Sequence, residues 1–380
     1  MRFTEYFRFQ MFRAFIESEK SGGFILIACT VVSLLITNSP QGEYYVGIWS
    51  QPLASEPLHD WINDGLMTLF FLIIGLELKR EFLEGQFADF SKALLPVFAA
   101  IGGMLLPAAF HLFFNYGTST QSGAGIPMAT DAAFALAILS IVGNRTPFAL
   151  KILLVAVAVV DDLCAIIVIA VFYASDISLI HLSSALGIFL LLLIIRRAGF
   201  RSLFIYLVGG AGIWYFLLHS GVHATIVGVL IAITIPYSKG KKKCPSLRLQ
   251  NALHKPVAFV VLPLFALANT CIVISSDFAD SLVTRNSIGI LSGLVLGKPL
   301  GVFLFSFFAV KTGIGKLSED LKWKHVLGIG ILAGTGFTIS IFVSLLAFSD
   351  PLLVDQSKMA VLTASVLAAI VAAVYLRWIS

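Results

Sequence analysis

Of 380 residues, 58% are hydrophobic and only 12% are charged, against about 25% charged in a typical soluble domain. A globular fold of this length needs more polar exterior than that, so the composition excludes a soluble enzyme or binding module and requires a membrane protein. The net charge of +5 could suggest an acidic partner, but its distribution reports orientation in a bilayer and no nucleic-acid partner.

Residues 1–20 alternate Arg2, Arg8, Arg13 and Lys20 with Phe3, Phe7, Phe12 and Phe15. No uninterrupted apolar run precedes a small-residue cleavage site, so this is no cleavable signal; an amphipathic cytoplasmic helix lying on the membrane surface is expected. From Phe24 onward, apolar stretches approach the length of about 20 residues that a spanning helix needs. Twelve follow in order: 24–38, 60–78, 93–114, 123–142, 149–174, 180–195, 202–218, 222–236, 255–274, 287–309, 326–348 and 359–378. The seventh and eighth, short and joined at Gly221, could pass for one, and the charges decide. With twelve spans, all the lysines and arginines except Arg285, Lys298 and Lys358 fall on one side, including the run at 239–243. Merging two spans would put that run outside. By the positive-inside rule both termini are then cytoplasmic.

No soluble domain is expected: residues 1–380 form a single membrane domain. The longest external segment, 39–58, sets Pro40, Gly42, Pro52 and Pro57 around the strand-like Tyr44-Tyr45-Val46-Gly47-Ile48-Trp49, which fits a short hairpin or an ordered loop. Cys29, Cys164, Cys244 and Cys271 show no paired spacing and read as reduced, packed residues.

Charged groups inside spans cost about 2.5–3.5 kcal/mol each at a helix centre and mark function by default. Asp161 and Asp162 interrupt the otherwise uncharged run 153–170. Neighbours on a helix point about 100° apart, so one carboxylate can face an aqueous funnel while the other faces an adjacent helix. Desolvation and like charge both oppose ionisation of such a pair. A group of oxygens that holds protons near neutral pH and yields them to a hard cation implies cation/proton exchange. The alternative, a pair that only salt-bridges helices together, leaves the second aspartate unexplained.

Lys298, in the run 291–302, is tolerable when paired with a carboxylate; it is either a structural counter-ion to Asp161 or a titrating proton carrier. Asp131 follows Gly123, Gly125, Pro127 and Thr130, and the segment 328–338 is equally rich in glycine. Paired interruptions of this kind in two halves of a chain point to a binding site between inverted repeats, although each alone fits close helix packing. Asp131 there could neutralise the N-terminal ends of half-helices. Glu77, Arg80 and Glu81 close the second span as an ordinary charged helix end or a regulatory cluster. His219 and His223 lack the acidic partner of a zincin pattern, and neither a Walker A sequence nor a nucleophile elbow is present. No enzyme chemistry and no cofactor are expected.

In order and spacing, Trp61-Ile-Asn-Asp-Gly-Leu-Met67, Gly75-Leu-Glu-Leu-Lys-Arg-Glu81, Ala129-Thr-Asp-Ala-Ala-Phe-Ala-Leu136, Asp161-Asp-Leu163, Ser220-Gly-Val-His-Ala-Thr225 and Gly297-Lys-Pro-Leu-Gly301 resemble the NhaA family of bacterial Na⁺/H⁺ antiporters across essentially the whole chain. The resemblance implies an all-α inner-membrane protein of twelve helices with inverted repeats, its fourth and eleventh spans unwound and crossing at mid-membrane. It implies electrogenic exchange of Na⁺ or Li⁺ for H⁺, with a role in pH and sodium homeostasis. By position, Asp161 and Asp162 match the ion-binding and proton-carrying pair. Asp131, Thr130 and Lys298 match the groups around the broken helices. Glu77, Arg80, Glu81 and His223 match residues of pH response, and 39–58 matches a hairpin through which family members dimerise. The family often carries Glu where this chain has Gln250, which leaves its pH profile open. A sodium-coupled organic-anion symporter on a similar fold would need a buried cation for the anion, and none is left unassigned.

Overall fold

The computed structural model describes residues 21–54, 56–142, 146–174, 176–238, 244–274 and 278–379, so the expected surface helix at 1–20 and the lysine run at 239–243 lie outside the described residues. Each of the twelve apolar segments carries helix. They are α1 (Ser21–Thr37), α3 (Leu58–Leu83) after the short α2 (Gly42–Trp49), α4 (Phe90–Asn115), and a 3-10 helix Gln121–Met128 leading into α5 (Ala132–Val142). There follow α6 (Phe148–Phe172), α7 (Leu179–Arg197), α8 (Leu203–Leu218), α9 (Ala224–Thr234), α10 (Pro245–Asn269) and, after the small α11 (Phe278–Leu282), α12 (Arg285–Lys311). The chain closes with α13 (Trp323–Ala333), α14 (Phe337–Ala347) and α15 (Pro351–Ile379).

Among the described residues, seven helices are long and apolar enough to cross a membrane, or nine if each of two bent pairs counts as one span; α1, α8 and α9 are shorter apolar helices. The protein is an all-α, multi-pass membrane protein. A helix satisfies its own backbone polar groups internally, as a segment in hydrocarbon must. Helix α7 shows the solvent it expects: Leu186, Leu190, Leu191 and Ile194 face outward, as apolar side chains do against hydrocarbon.

Two buried clusters organise the helices. The larger spans α1, α3 to α6, α10 and α12 to α15. The smaller joins α7, α8 and α9 to Leu72 and Leu76 of α3 and Leu249 of α10. Helix α4 runs closely along α12, where a Cβ at Gly103 would lie 3.0 Å from Val302; small residues allow this approach in place of the hydrophobic effect, which is weak between helices in lipid.

The segment 39–58 differs from the strand-like reading of Tyr44 to Trp49. Those residues form α2, followed by a two-residue antiparallel ladder pairing Pro52 with Pro57 and Leu53 with Glu56. Tertiary contacts override the aromatic β-preference. Tyr45 Oη lies 3.0 Å from Leu267 O and 3.2 Å from Ser33 Oγ, and its ring meets Trp49 one turn on, 5.8 Å between centres. Lys79, one of the lysines counted on the lysine-rich side, donates to the carbonyls of Ala232, Ile233 and Ile235. It caps the end of α9, where orphan carbonyls and the helix dipole favour a cation.

Candidate functional site

The two bent pairs place the polar groups. The 3-10 helix and α5 meet at 43°, and α13 and α14 at 47°. The first break follows from Pro127 and from Ala129, whose φ −85 and ψ 157 are extended; the second falls at Gly334-Thr335-Gly336. The breaks touch: Asp131 N donates to Thr335 O at 2.6 Å, and Thr130 Oγ1 lies 3.0 Å from Ala333 O.

Broken helices expose unpaired amides at each new N-terminus and unpaired carbonyls at each new C-terminus. Asp131 serves both N-termini. Its Oδ1 accepts from Phe134 N of α5 at 2.9 Å, and its Oδ2 accepts from Thr338 N at 3.1 Å and Thr338 Oγ1 at 2.8 Å in α14. Lys298 serves one C-terminus by donating to Met128 O. A carboxylate thus faces the positive ends and an ammonium faces a negative end. Lys298 itself follows a π-helical turn, Gly293–Gly297, in which its N–H reaches Gly293 O. Such turns re-aim a side chain within a helix.

Asp161 and Asp162 sit mid-way along α6, 0% and 7% exposed. As helix geometry requires, they part. Asp161 Oδ2 is 2.8 Å from Lys298 Nζ and accepts from Thr130 Oγ1 at 2.6 Å, while its Oδ1 has no partner among the described residues. Asp162 makes no such pair, and its Oδ1 also lacks a partner. It lines a cavity of about 230 Å³ whose wall also carries Thr130, Asp131, Thr338, Glu77, Arg80, Glu81 and His254. Three carboxylates are buried here against one buried ammonium, Lys298. An unpaired buried carboxylate is costly unless it holds a proton or another cation.

Along the same wall, Arg80 Nη2 lies 3.2 Å from Glu81 Oε1, Glu81 Oε2 accepts from Gln86 N at 3.0 Å, and Gln250 and His254 stand near Glu77. The cavity therefore joins the expected pH-response cluster to Asp162. His223 is not in its wall; it stands at the opposite end of α9 against Phe342, 6.4 Å between ring centres. Sequence reasoning missed Thr338, the Met128 and Ala333 carbonyls and His254. The carbonyls carry no side-chain signal at all, whereas Thr338, the second residue of α14 after its N-cap Gly336, carries one of the N–H groups that a helix N-terminus leaves unpaired.

A family model described as Na⁺/H⁺ antiporter 1 matches residues 13–376. A protein of Cytophaga hutchinsonii named Na(+)/H(+) antiporter NhaA is 53% identical over 368 residues, which cover 97% of this chain and 95% of that protein. A namesake in Flavobacterium psychrophilum is 54% identical over 369 residues, 97% and 96% of the two chains. Another, in Dechloromonas aromatica, is 54% identical over 362 residues, 94% and 93% of the two chains.

Proposed function

The chain belongs to the Na⁺/H⁺ antiporter 1 family, and from that membership we infer that it extrudes Na⁺, and Li⁺ as a second substrate, in exchange for protons entering from outside. The observation that carries the reading is Asp162: a buried carboxylate without a counter-charge, open to a cavity, beside Asp161, whose charge Lys298 already balances. Protonated, Asp162 costs little to bury. Deprotonated, it offers oxygens that a hard cation accepts. A proton and Na⁺ therefore compete for one group. When Na⁺ draws Asp161 away from Lys298, the unpartnered Asp161 Oδ1 and the Thr130 hydroxyl supply further oxygens. Electrogenic exchange, with more protons entering than sodium ions leaving, requires a second proton beside that of Asp162, given up either by Lys298 once Asp161 has left it or by Asp161 itself.

This reading takes residues 1–380 as one transport domain with twelve crossings, counting the bent pairs as one span each and α1, α8 and α9 as short spans. The breaks belong to inverted repeats and cross at mid-membrane, with Asp131, Thr130 and Lys298 compensating their ends. The lysine-rich side is cytoplasmic, with both termini, in a bacterial inner membrane. Glu77, Arg80 and Glu81, with His223 acting from the other end of α9, tune the response to pH in the service of pH and sodium homeostasis. Segment 39–58, whose Tyr44 and Leu53 are exposed, joins two copies in a homodimer within the lipid bilayer. The test is a dequenching assay in everted vesicles carrying a respiratory proton gradient. Na⁺ and Li⁺ should dissipate the gradient and K⁺ should not; an equal response to K⁺, or none to Na⁺, would overturn the assignment.

A further inference from the structure

At the membrane face opposite the lysine-rich loops, the start of α7 is tied to the end of α8. Ser178 N–H donates to Ser220 O at 3.0 Å. That bond brings together two histidines that the transport site does not use: His181, in the first turn of α7, and His219, directly after α8. Their ring centres are 5.8 Å apart and their planes are tilted by 32°.

Both rings are oriented through the same nitrogen. His219 Nδ1 lies 2.8 Å from Tyr215 O. A carbonyl only accepts, so Nδ1 carries the hydrogen and the neutral ring keeps its lone pair on Nε2. His181 Nδ1 lies 2.8 Å from Ser178 Oγ, and in the tautomer that donates to that hydroxyl the Nε2 lone pair is free as well. Among the described residues no hydrogen bond engages either Nε2. The Tyr215 ring packs on His219 at 4.8 Å and Phe216 on His181 at 6.4 Å, which limits how the imidazoles can turn. A ring held by its other N–H on a backbone carbonyl or nearby acceptor is how protein ligands present imidazole to a metal.

We propose that His181 and His219 together form a site for a divalent transition cation of the Zn²⁺, Ni²⁺ or Cu²⁺ class, bound through the two Nε2 atoms and linking the start of α7 to the end of α8. Metal–nitrogen bonds of about 2.0–2.1 Å place the centres of two bound imidazoles about 5 to 6.5 Å apart as the angle at the metal opens from tetrahedral to linear, and the observed separation falls inside that range. Neutral imidazole selects these cations over Mg²⁺, Ca²⁺ and Na⁺, which prefer oxygen. The site is therefore chemically distinct from Asp161 and Asp162. No third His, Cys, Asp or Glu completes it among the described residues, and His219 is exposed, so water fills the remaining positions and the ion exchanges with the medium.

The experiment uses the untagged full chain in detergent. Cu²⁺ added at one equivalent should give a paramagnetic resonance spectrum with superhyperfine splitting from two imidazole nitrogens, and Zn²⁺ should raise the melting temperature until the site saturates, as a ligand of the folded state does. Mg²⁺ should leave it unchanged. His181→Gln and His219→Gln should each lose the Zn²⁺ response and keep wild-type melting without metal and wild-type sodium exchange, while His59→Gln should keep the response. A spectrum with one nitrogen or none, or a Zn²⁺ response equal in the wild type and both variants, overturns the proposal; the spectrum is read on the wild type and so does not depend on the variants folding.

Discussion

Asp161 and Asp162 are neighbours in sequence with opposite circumstances. Asp161 is neutralised by Lys298 and accepts a hydrogen bond from Thr130; Asp162 has only the cavity. Asp162→Asn should therefore abolish sodium-driven proton movement while the protein still inserts and melts normally, because an amide cannot cycle between a proton and a cation. Exchange assayed in proteoliposomes beside a melting curve checks both halves. Lys298→Ala should act the other way and destabilise by about 3–5 kcal/mol, the cost of breaking one side of a buried ion pair, since it strands both Asp161 and the Met128 carbonyl. If its melting temperature holds and exchange becomes electroneutral, the lysine is a proton carrier and not a counter-ion. Thr338→Val removes one of three bonds to the Asp131 carboxylate, each worth about 1.5–3 kcal/mol for a charged acceptor, and should lower thermal stability accordingly. At this scale the sequence was legible where charge interrupts apolar runs. It was silent on partners such as Met128 O, which exist only once two broken helices meet.

The helices explain why those residues converge. Glycine and proline at 123–127 and 334–336 foretold the interruptions, but not that one aspartate would accept from the N-termini of both α5 and α14, which is a tertiary fact. Nor did the sequence reveal the π-helical turn before Lys298, since Gly293 and Gly297 fit ordinary close packing equally well. That turn is tightly confined: a Cβ on Gly297 would lie 2.9 Å from Pro107 Cα, closer than carbon atoms pack and against backbone that cannot swing aside. Gly297→Ala should cost about 1–3 kcal/mol through overpacking and shift Lys298 from Asp161. Lower melting temperature with reduced exchange is the expected pair of results. The aromatic run Tyr44 to Trp49 misled for a physical reason, because β-preference describes a half-buried pleated surface and here Tyr45 ties a helix to α1 and α10.

Over the whole molecule, the proposed topology rests on the one-sided distribution of Lys and Arg, and one cavity is lined by Arg80, His254 and Asp162 together. Beside Glu77 of that cavity, this chain departs from the pattern that the resemblance implies. Gln250 stands near Glu77 but cannot ionise. A second carboxylate there would repel the first, so the two would share protons over a pH range and couple that titration to the helices that carry them. Activity should rise with pH less steeply in this chain than in Gln250→Glu; apparent sodium affinity and maximal rate from pH 6 to pH 9 decide it, and superimposable profiles would move the pH dependence to proton–sodium competition at Asp161 and Asp162. That competition is the centre of the account, and proton release on sodium binding tests it most directly. Na⁺ added to the purified protein in weakly buffered detergent solution should acidify the medium, saturably, in the wild type, and should release no protons from Asp162→Asn. Equal release from the two proteins would contradict the account.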